Sequence, residues 1–471
     1  MSLFDSQHNF GSVLILGAGK TALATARYLA SSRRSQVARV VVYAGMGSVS
    51  QSVKDQIRSY GAKLVMGTEK VEGTYDICIS SPGISEFSDF FLSAKAASKK
   101  IVSEPEFAYE VSPERWCAIT GTNGKTTTTT LTTKIINDAG IVGYPVGNIG
   151  NLCVDALEDR EEGSWFIAEL SSYQLAVSPH LHPKISCLLN ITPDHLSWHR
   201  SAEAYQKAKE QIFANMDKTD LCIITWDGVC ADIAQDLIKR GLRVAVVDVH
   251  VDHGFENCAF VRDNMLIVRL SGKEIELCGL DELQVFGDHN IQDVLAASVM
   301  ALEAGVSRSS CIDSLKSFHA LEHRIEGCGV CQGITFVNDS KATNTDAVQK
   351  ALASFKPHTI VLLCGGHDKH TDLEEFAKDA VALCKSCVCF GEAGPRIAQA
   401  LKDAQAMCDS DCQIIMADHM KDAIYTGFDL ACENDTVLLS PACSSFDEFS
   451  CYEQRGEVFK DIVSTICATK G

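Results

Sequence analysis

A lysine and a threonine follow a glycine-rich turn in Gly121-Thr-Asn-Gly-Lys-Thr126, directly after the apolar run Trp116-Cys-Ala-Ile119. Such a turn brings backbone N–H groups around phosphate oxygens, the following helix adds its positive end, and the lysine offsets phosphate charge. The spacing is G-x-x-G-K-T, because Ile119 stands where the usual motif has its first glycine. The segment predicts a nucleoside triphosphate site led by Lys125 and Thr126. A plain Gly/Asn turn before a Thr-rich helix is the alternative.

A second glycine turn, Gly17-Ala-Gly19 with Ala22, follows the apolar run Val13-Leu-Ile-Leu16 and matches the dinucleotide fingerprint G-x-G-x-x-G/A. An NAD site would need an acidic residue at the end of the next strand to hold the ribose. That strand ends Val40-Val-Val-Tyr-Ala44, without an acid. We therefore expect a Rossmann-like module that binds another phosphate-bearing group. An NAD site and a purely structural turn stay as alternatives.

Acidic and imidazole side chains end two further apolar runs. Trp165-Phe-Ile-Ala-Glu169 ends in a carboxylate, and Asn190-Ile-Thr-Pro-Asp-His195 places Asp194 and His195 after another strand. A carboxylate at a strand end next to a phosphate loop can hold Mg²⁺ directly or through water. Glu169 is therefore a candidate metal ligand, although a solvent-facing glutamate or histidine is the ordinary alternative at such positions.

Short apolar runs, each followed by a small or acidic turn and a helical stretch, recur along all 471 residues. This alternation is typical of α/β domains with parallel sheets, whose ligands bind at the carboxyl ends of the strands. The length suggests about three domains. We place them at 1–112, 113–320 and 321–471, with a hinge at Val111-Ser-Pro113.

Composition excludes several classes of protein. A net charge of −19 argues against a nucleic-acid-binding protein, and 46% hydrophobic residues give material for more than one core. Met1-Ser-Leu-Phe-Asp5 has neither a basic start nor an apolar run, and no run reaches the roughly 18 apolar residues of a membrane span, so we expect a cytoplasmic protein without an export signal or a membrane partner. The 21 cysteines are then expected as reduced, mostly buried thiols.

Seven segments stand in the order that is found in the Mur ligases, and the chain resembles this family over nearly its whole length. They are Gly121-Thr-Asn-Gly-Lys-Thr126, Gly147-Asn-Ile-Gly150, Glu169-Leu-Ser-Ser-Tyr-Gln-Leu175, Asp194-His-Leu196, His323-Arg324, Asn338-Asp-Ser-Lys-Ala-Thr-Asn344 and Leu439-Ser-Pro-Ala-Cys-Ser-Ser445.

The resemblance implies a Rossmann-like N-terminal domain, a central ATPase-type domain with a mostly parallel sheet, and a Rossmann-like C-terminal domain. The Glu169, Asn338 and Tyr452-Glu-Gln-Arg-Gly456 segments favour the ligase that joins D-glutamate to UDP-N-acetylmuramoyl-L-alanine. That reaction makes a peptidoglycan precursor through an acyl phosphate and a tetrahedral intermediate. The alternatives are a sister ligase or a folylpolyglutamate-type ligase with another amino acid and, more remotely, an NAD-dependent oxidoreductase.

The resemblance also implies the cofactors and their residues. ATP and two Mg²⁺ ions are expected, with Lys125, Glu169, His195 and Lys209 as catalytic residues. Judged from the sequence alone, Lys209 is a surface lysine of a helix, whereas the family carries a carbamate at the matching position. The implied metal ligands are Thr126, Glu169, His195 and carbamylated Lys209; the implied ATP contacts are Gly121, Thr122, Asn123, Gly124, Lys125, Thr126, Thr127, Asn290, Arg324 and Asp339.

Two further groups of residues match positions that bind substrates in the family. The protein is expected to be a monomer. The UDP-substrate contacts are Gly17, Gly19, Lys20, Thr21, Ser81, Pro82, Gly83 and Asn148; the D-glutamate contacts are Lys341, Thr343, Lys369, Ser444, Ser445 and Tyr452. Three positions depart from the family pattern. Asp293 stands where Asn is common, Tyr43-Ala-Gly-Met46 lacks the usual uracil-binding residues, and Tyr452 stands where Phe is common.

Overall fold

The computed structural model describes residues 9–31, 34–192, 194–285, 287–319, 322–408 and 410–470. The chain forms two compact units, Met1–Leu283 with Ile291–Phe318 and Gln284–Asn290 with His319–Gly471. The first unit contains two β-sheets and the second contains one. The domain boundaries expected from the sequence stay predictions, and the one between residues 320 and 321 lies outside the described residues.

The first sheet has five parallel strands in the order β3-β2-β1-β4-β5, which is the order of a Rossmann-like sheet. The order reverses beside β1, so the glycine turn after β1 lies at the position where such sheets bind ligands. The strands are β1 Gly11–Leu16, β2 Val37–Tyr43, β3 Lys63–Val65, β4 Ile77–Ser80 and β5 Ile101–Ser103; the helices are α1 Lys20–Ala30, α2 Gln51–Ser59, α3 Asp89–Ala97 and α4 Glu104–Val111.

The second sheet has nine strands in the order β14-β13-β12-β11-β10-β9-β6-β8-β7, parallel except where β13 pairs with β12 and β14. The strands are β6 Trp116–Thr120, β7 Gly143–Gly147, β8 Trp165–Glu169, β9 Ile185–Leu188, β10 Leu221–Thr225, β11 Arg243–Val247, β12 Asn257–Arg262, β13 Met265–Leu270 and β14 Lys273–Gly279. The helices are α5 Lys125–Asp138, α6 Cys153–Ala156, α7 Ser172–Ala176, α8 Leu196–His199, α9 Ala202–Glu210, α10 Val229–Lys239, α11 Asp288–Glu303 and α12 Arg308–Lys316.

The third sheet has six strands in the order β15-β16-β20-β17-β18-β19, and only β15 runs antiparallel to its neighbour. The strands are β15 Glu326–Cys331, β16 Ile334–Asn338, β17 Ile360–Gly365, β18 Cys384–Phe390, β19 Gln413–Met416 and β20 Thr436–Ala442. The helices are α13 Thr345–Leu352, α14 Glu374–Leu383, α15 Gly394–Cys408, α16 Met420–Leu430 and α17 Tyr452–Lys470.

The predicted α/β class with mostly parallel sheets is confirmed. Every residue of β6, β8 and β9 is buried, which explains why these strands appear in the sequence as continuous apolar runs rather than alternating ones. β6 lies between β8 and β9, so the three polar turns that follow these strands share one edge of the sheet. All 21 cysteines are free thiols, and most are buried.

Among the residues that the structure describes, no helix is both long enough and apolar enough to cross a bilayer.

Candidate active site

The turn between β6 and α5 is held in shape by the residue that follows β9. Asn190 Oδ1 accepts a hydrogen bond from the Asn123 backbone N–H at 2.8 Å, and its Nδ2 donates to the Asn123 carbonyl at 3.2 Å. The Asn190 carbonyl accepts from the Thr122 N–H at 2.9 Å. Sequence reasoning did not single out Asn190; its position at the end of the strand next to β6 was the available signal.

The N-terminus of α5 has features that favour binding of an anion. Gly124 is its N-cap residue, has φ +84° and supplies no side-chain cap, and the first turn of the helix contains no acidic residue. A Cβ atom on Gly124 would overlap the carboxylate of Asp293, which is itself buried. Glycine is therefore required here both by the left-handed backbone and by the close approach of α11. The backbone N–H groups of a first helical turn and the helix dipole favour an anion such as phosphate at this end.

Two lysines donate to the same loop carbonyl. Lys125 Nζ lies 2.9 Å from the carbonyl oxygens of both Gly121 and Thr122, and Lys209 Nζ lies 2.7 Å from that of Gly121. Thr126 and Thr127 continue α5, the first half-buried and the second buried. The ammonium of Lys125 is therefore already placed over the turn that is expected to hold phosphate.

Lys209 is only 2% exposed, so the interpretation of this residue as a surface lysine was wrong. α9 turns Tyr205 and Lys209 inward, whereas Lys207 is exposed. Burial, together with the positive charge of Lys125, lowers the pKa of the Lys209 amine well below its usual value. Lys209 Nζ lies 4.8 Å from the centre of the Tyr205 ring. A lowered pKa increases the share of neutral amine, which is the form of lysine that reacts with CO₂.

Glu169 ends β8 as a buried carboxylate with one satisfied oxygen. Its Oε1 accepts from Asn148 Nδ2 at 2.8 Å, and within the described part of the chain Oε2 is buried and has no hydrogen-bond partner. An unpartnered carboxylate oxygen that is 2% exposed is costly unless a cation or a proton satisfies it. Glu169 therefore fits a hard cation such as Mg²⁺.

The His195 ring packs at the edge of a cluster of aromatic side chains that includes Tyr173, His199 and Tyr205. Its ring centre is 5.0 Å from that of Tyr173, and its backbone N–H donates to Asp194 Oδ1 at 2.8 Å. The buried His199 ring is 5.3 Å from the Tyr205 ring and bonds Ser172 Oγ at 2.9 Å through Nε2. Burial lowers the pKa of His199 to about 4, so its ring is neutral at pH 7. The sequence contained no signal for His199.

Gly147 is expected to be more sensitive to substitution than Gly150. Both have positive φ (+90° and +113°). A Cβ atom on Gly147 would overlap the Glu169 carbonyl, whereas among the described residues nothing lies within 4 Å of one on Gly150. Backbone strain costs each alanine variant about 1–3 kcal/mol. Gly147→Ala should in addition displace Asn148 and Glu169, lower Tm further and weaken the dependence on Mg²⁺ that a metal held by Glu169 would give. Equal Tm and equal Mg²⁺ dependence in the two variants would contradict this coupling.

The two turns expected to bind the UDP-substrate lie against each other. A Cβ atom on Gly17 would lie 2.6 Å from Ser81 Oγ, and the Ser81 N–H donates to the Leu16 carbonyl at 3.0 Å. Gly19 is the N-cap of α1 without a side-chain cap, and Lys20 begins the helix. A small cleft beside these turns is lined by Thr21, Ser81, Pro82, Glu104, Tyr173 and Gln174, among others, and the exposed Gly83 follows Pro82.

Tyr43, one of the departures from the family pattern, has a packing role. Its side chain is 4% exposed and its hydroxyl accepts a hydrogen bond from the Glu72 N–H at 3.0 Å.

In the second unit, Asp339 is a buried carboxyl beside Arg324. Its Oδ2 accepts from Ser440 Oγ at 2.6 Å and its Oδ1 accepts from the Ile325 N–H at 3.4 Å. Burial raises the pKa of Asp339 to about 7, an effect that the Ser440 hydrogen bond and the Arg324 charge only partly offset. Asn290 lies in the first turn of α11 and belongs to the same unit.

The residues assigned to D-glutamate form a group at the carboxyl ends of β16, β17 and β20. Lys341 Nζ lies 3.7 Å from the centre of the Tyr452 ring, and Lys369 Nζ donates to the Thr343 carbonyl at 2.9 Å. The buried Ser444 and Ser445 follow β20. Two lysines near hydroxyl groups could hold a dicarboxylate.

Comparison with known proteins places the chain in a family. The model of the Mur ligase middle domain matches residues 119–301, and that of the Mur ligase glutamate ligase domain matches residues 323–443. The chain is 34% identical to the UDP-N-acetylmuramoylalanine--D-glutamate ligase of Thermoanaerobacter pseudethanolicus over 96% of its own length and 98% of that protein.

Solved structures show the same fold at low identity. A pseudomurein peptide ligase type C from Methanothermus fervidus has a TM-score of 0.58 at 17% identity, covering 97% of this chain and 99% of that one. The UDP-N-acetylmuramate-alanine ligase of Thermotoga maritima has a TM-score of 0.54 at 17% identity, covering 96% and 99%. With the match in sequence over nearly the full length, these findings establish that the chain belongs to the Mur ligase family.

Proposed function

We propose that this chain is the ATP-dependent ligase that joins D-glutamate to UDP-N-acetylmuramoyl-L-alanine in peptidoglycan precursor synthesis. The observation that carries the proposal is that Lys125 and Lys209 both donate to the Gly121 carbonyl of a phosphate-type turn, in a chain whose relatives carry that enzyme name. Glu169 pairs with Ile119 at the end of the strand that leads into this turn. The small-molecule substrates are ATP, the UDP-linked sugar and the amino acid. We further propose that the protein acts as a monomer in the cytoplasm, with its domains at 1–112, 113–320 and 321–471.

The reaction needs an activated acyl group. The L-alanyl carboxylate attacks the γ-phosphorus of ATP, ADP leaves, and the free amine of D-glutamate then attacks the resulting acyl phosphate; loss of phosphate and a proton leaves the amide. Both steps bring anionic groups together, so positioning and fixed positive charge are the main contributions of the protein. Lys125 and the N–H groups from Gly121 to Thr127 would hold the β- and γ-phosphates, and Asn290, Arg324 and Asp339 would contact the rest of ATP.

Magnesium would supply charge neutralisation at the transferred phosphate. Thr126 and Glu169 would hold one ion, and His195 with a carbamate on Lys209 would hold the second. The buried, unpartnered Oε2 of Glu169 and the lowered pKa of Lys209 support these assignments. A carbamate would replace the buried amine with two anionic oxygens, which suit Mg²⁺.

Two further groups of residues would bind the UDP-linked substrate and D-glutamate. The turns after β1 and β4, with Gly17, Gly19, Lys20, Thr21, Ser81, Pro82 and Gly83, would hold the UDP group, and Asn148 the muramoyl group. Lys341, Thr343, Lys369, Ser444, Ser445 and Tyr452 would form the D-glutamate pocket. The proximity of Lys341 to Tyr452 and of Lys369 to Thr343 supports this grouping.

Phosphate release with ATP, Mg²⁺ and UDP-N-acetylmuramoyl-L-alanine tests the proposal. We expect release to depend on D-glutamate and to be far slower with L-alanine, L-glutamate, L-lysine or meso-diaminopimelate. Preference for another of these amino acids, or for a UDP-sugar without alanine, would identify a sister ligase instead. NAD binding by calorimetry tests the oxidoreductase alternative, and we expect none.

A further inference from the structure

Arg455 is a fully buried arginine, and in the part of the chain that the structure describes its hydrogen-bond acceptors are uncharged oxygens. It lies in the first turn of α17 and is 0% exposed. Its Nε donates to Ser340 Oγ at 3.0 Å, its Nη1 to the Ser444 carbonyl at 3.2 Å, and its Nη2 to the carbonyls of Ser340 and Cys443 at 2.8 and 3.1 Å. Burial lowers the pKa of Arg455 to about 10, which leaves it charged at neutral pH.

The guanidinium connects the loops that follow three adjacent strands. Ser340 follows β16, and Cys443 and Ser444 follow β20, its parallel neighbour in the sheet. The loop after β17 packs onto the same group, because a Cβ atom on Gly366 would lie 3.1 Å from Arg455 Nη1. The His367 N–H also donates to the Ser444 carbonyl, at 2.9 Å.

These three loops carry five of the six residues assigned above to D-glutamate, namely Lys341, Thr343, Lys369, Ser444 and Ser445. We propose that Arg455 is a positioning residue for the D-glutamate pocket, which fixes the three loops relative to one another without touching the ligand. The inference rests on the proposed function, since it takes its ligand from there.

Lysine could not replace this arginine. The planar guanidinium holds its N–H donors in a fixed geometry. Here these donors reach the loop at Ser340 and also the loop that contains Cys443 and Ser444. An ammonium offers three donors from a single point and cannot span the two loops in the same way. The carboxylates of Asp339, Asp447 and Glu448 act on the Arg455 charge, but none of them accepts its hydrogen bonds.

Steady-state kinetics of Arg455→Lys in the full-length protein tests the proposal. We expect KM for D-glutamate to rise at least tenfold, with KM for ATP and for UDP-N-acetylmuramoyl-L-alanine changed less than twofold. Arg160→Lys is the matched control, because Arg160 also donates to backbone carbonyls, those of Ser112, Glu114 and Ser164, and its pKa is also lowered to about 10. That variant should lower Tm without changing KM for D-glutamate.

A milder variant covers the case in which Arg455→Lys does not fold. Ser340→Ala removes the acceptor of the Nε hydrogen bond, together with the hydrogen bond that Ser340 Oγ donates to the Tyr452 carbonyl at 2.8 Å, and should raise KM for D-glutamate about threefold. An unchanged KM for D-glutamate in either folded variant, or an equal rise in all three KM values, would overturn the proposal. Failure of the proposed function has a different signature, since wild-type protein would then release phosphate with an amino acid other than D-glutamate.

Discussion

Lys125→Met should lower phosphate release by at least about 10²–10³-fold, the loss typical of removing one fixed group that stabilises transition-state charge. Lys125 Nζ lies 2.9 Å from two carbonyl oxygens of the phosphate-type turn, so its ammonium is positioned before ATP arrives. The effect should appear mainly in kcat, because charge builds up during transfer. Single-turnover formation of ADP measures the chemical step directly.

Lys134→Met is the matched control for that experiment. Lys134 belongs to the same helix, and its Nζ pairs with Asp138 at 2.7 Å, one turn further along α5. We expect near wild-type turnover from this variant. If Lys125→Met and Lys134→Met formed ADP at similar rates, the assigned role of Lys125 in phosphoryl transfer would be refuted.

A second effect of the Lys125 substitution follows from its proximity to Lys209. The charge of Lys125 helps to lower the pKa of the Lys209 amine. Removing that charge should raise this pKa and leave less neutral amine for reaction with CO₂. Lys125→Arg keeps the charge and separates the two effects, because it should retain carbamylation while it loses part of the catalytic rate.

Residues that directly follow a buried strand were the most predictable from the sequence. Glu169 and the Gly121–Thr126 turn end apolar runs that are also recognisable as strands, and parallel strands bring their carboxyl ends to one edge. The positions of these residues in the sheet could therefore be predicted from local sequence alone. Local sequence also predicted a triphosphate site and a candidate metal ligand there, whereas the ligase reaction came from the family resemblance.

The residues that local sequence could not assign owe their roles to packing between distant segments. Lys209 belongs to α9, a predominantly polar helix. Its amine is buried because α9 packs against the loop at Gly121. Asn190 and Arg455 bind backbone carbonyls or N–H groups far away in the chain. Backbone acceptors leave no trace in side-chain patterns, so no spacing rule could reveal these partners.

Lys209→Met is expected to reduce activity at least about 10²-fold, because the proposed carbamate, which would hold the proposed second metal ion, cannot form. Wild-type protein kept in CO₂-free buffer should lose activity and regain it when bicarbonate is added, whereas the variant should respond to neither. Lys207→Met is the matched control, since Lys207 is exposed on the same helix and should behave as wild type.

The proposed carbamate could be detected directly, and its formation should decrease as the pH falls. A lowered pKa increases the neutral share of the Lys209 amine below the usual lysine pKa, so carbamylation should extend to lower pH than for an ordinary lysine and decline on acidification as protonation competes. With ¹³C-bicarbonate, wild-type protein should show a carbamate carbon signal that is absent in Lys209→Met and present in Lys207→Met. An active wild-type enzyme without that signal, indifferent to CO₂ removal, would show that the amine itself serves at this position, where its hydrogen bond to the Gly121 carbonyl would then be its functional contact.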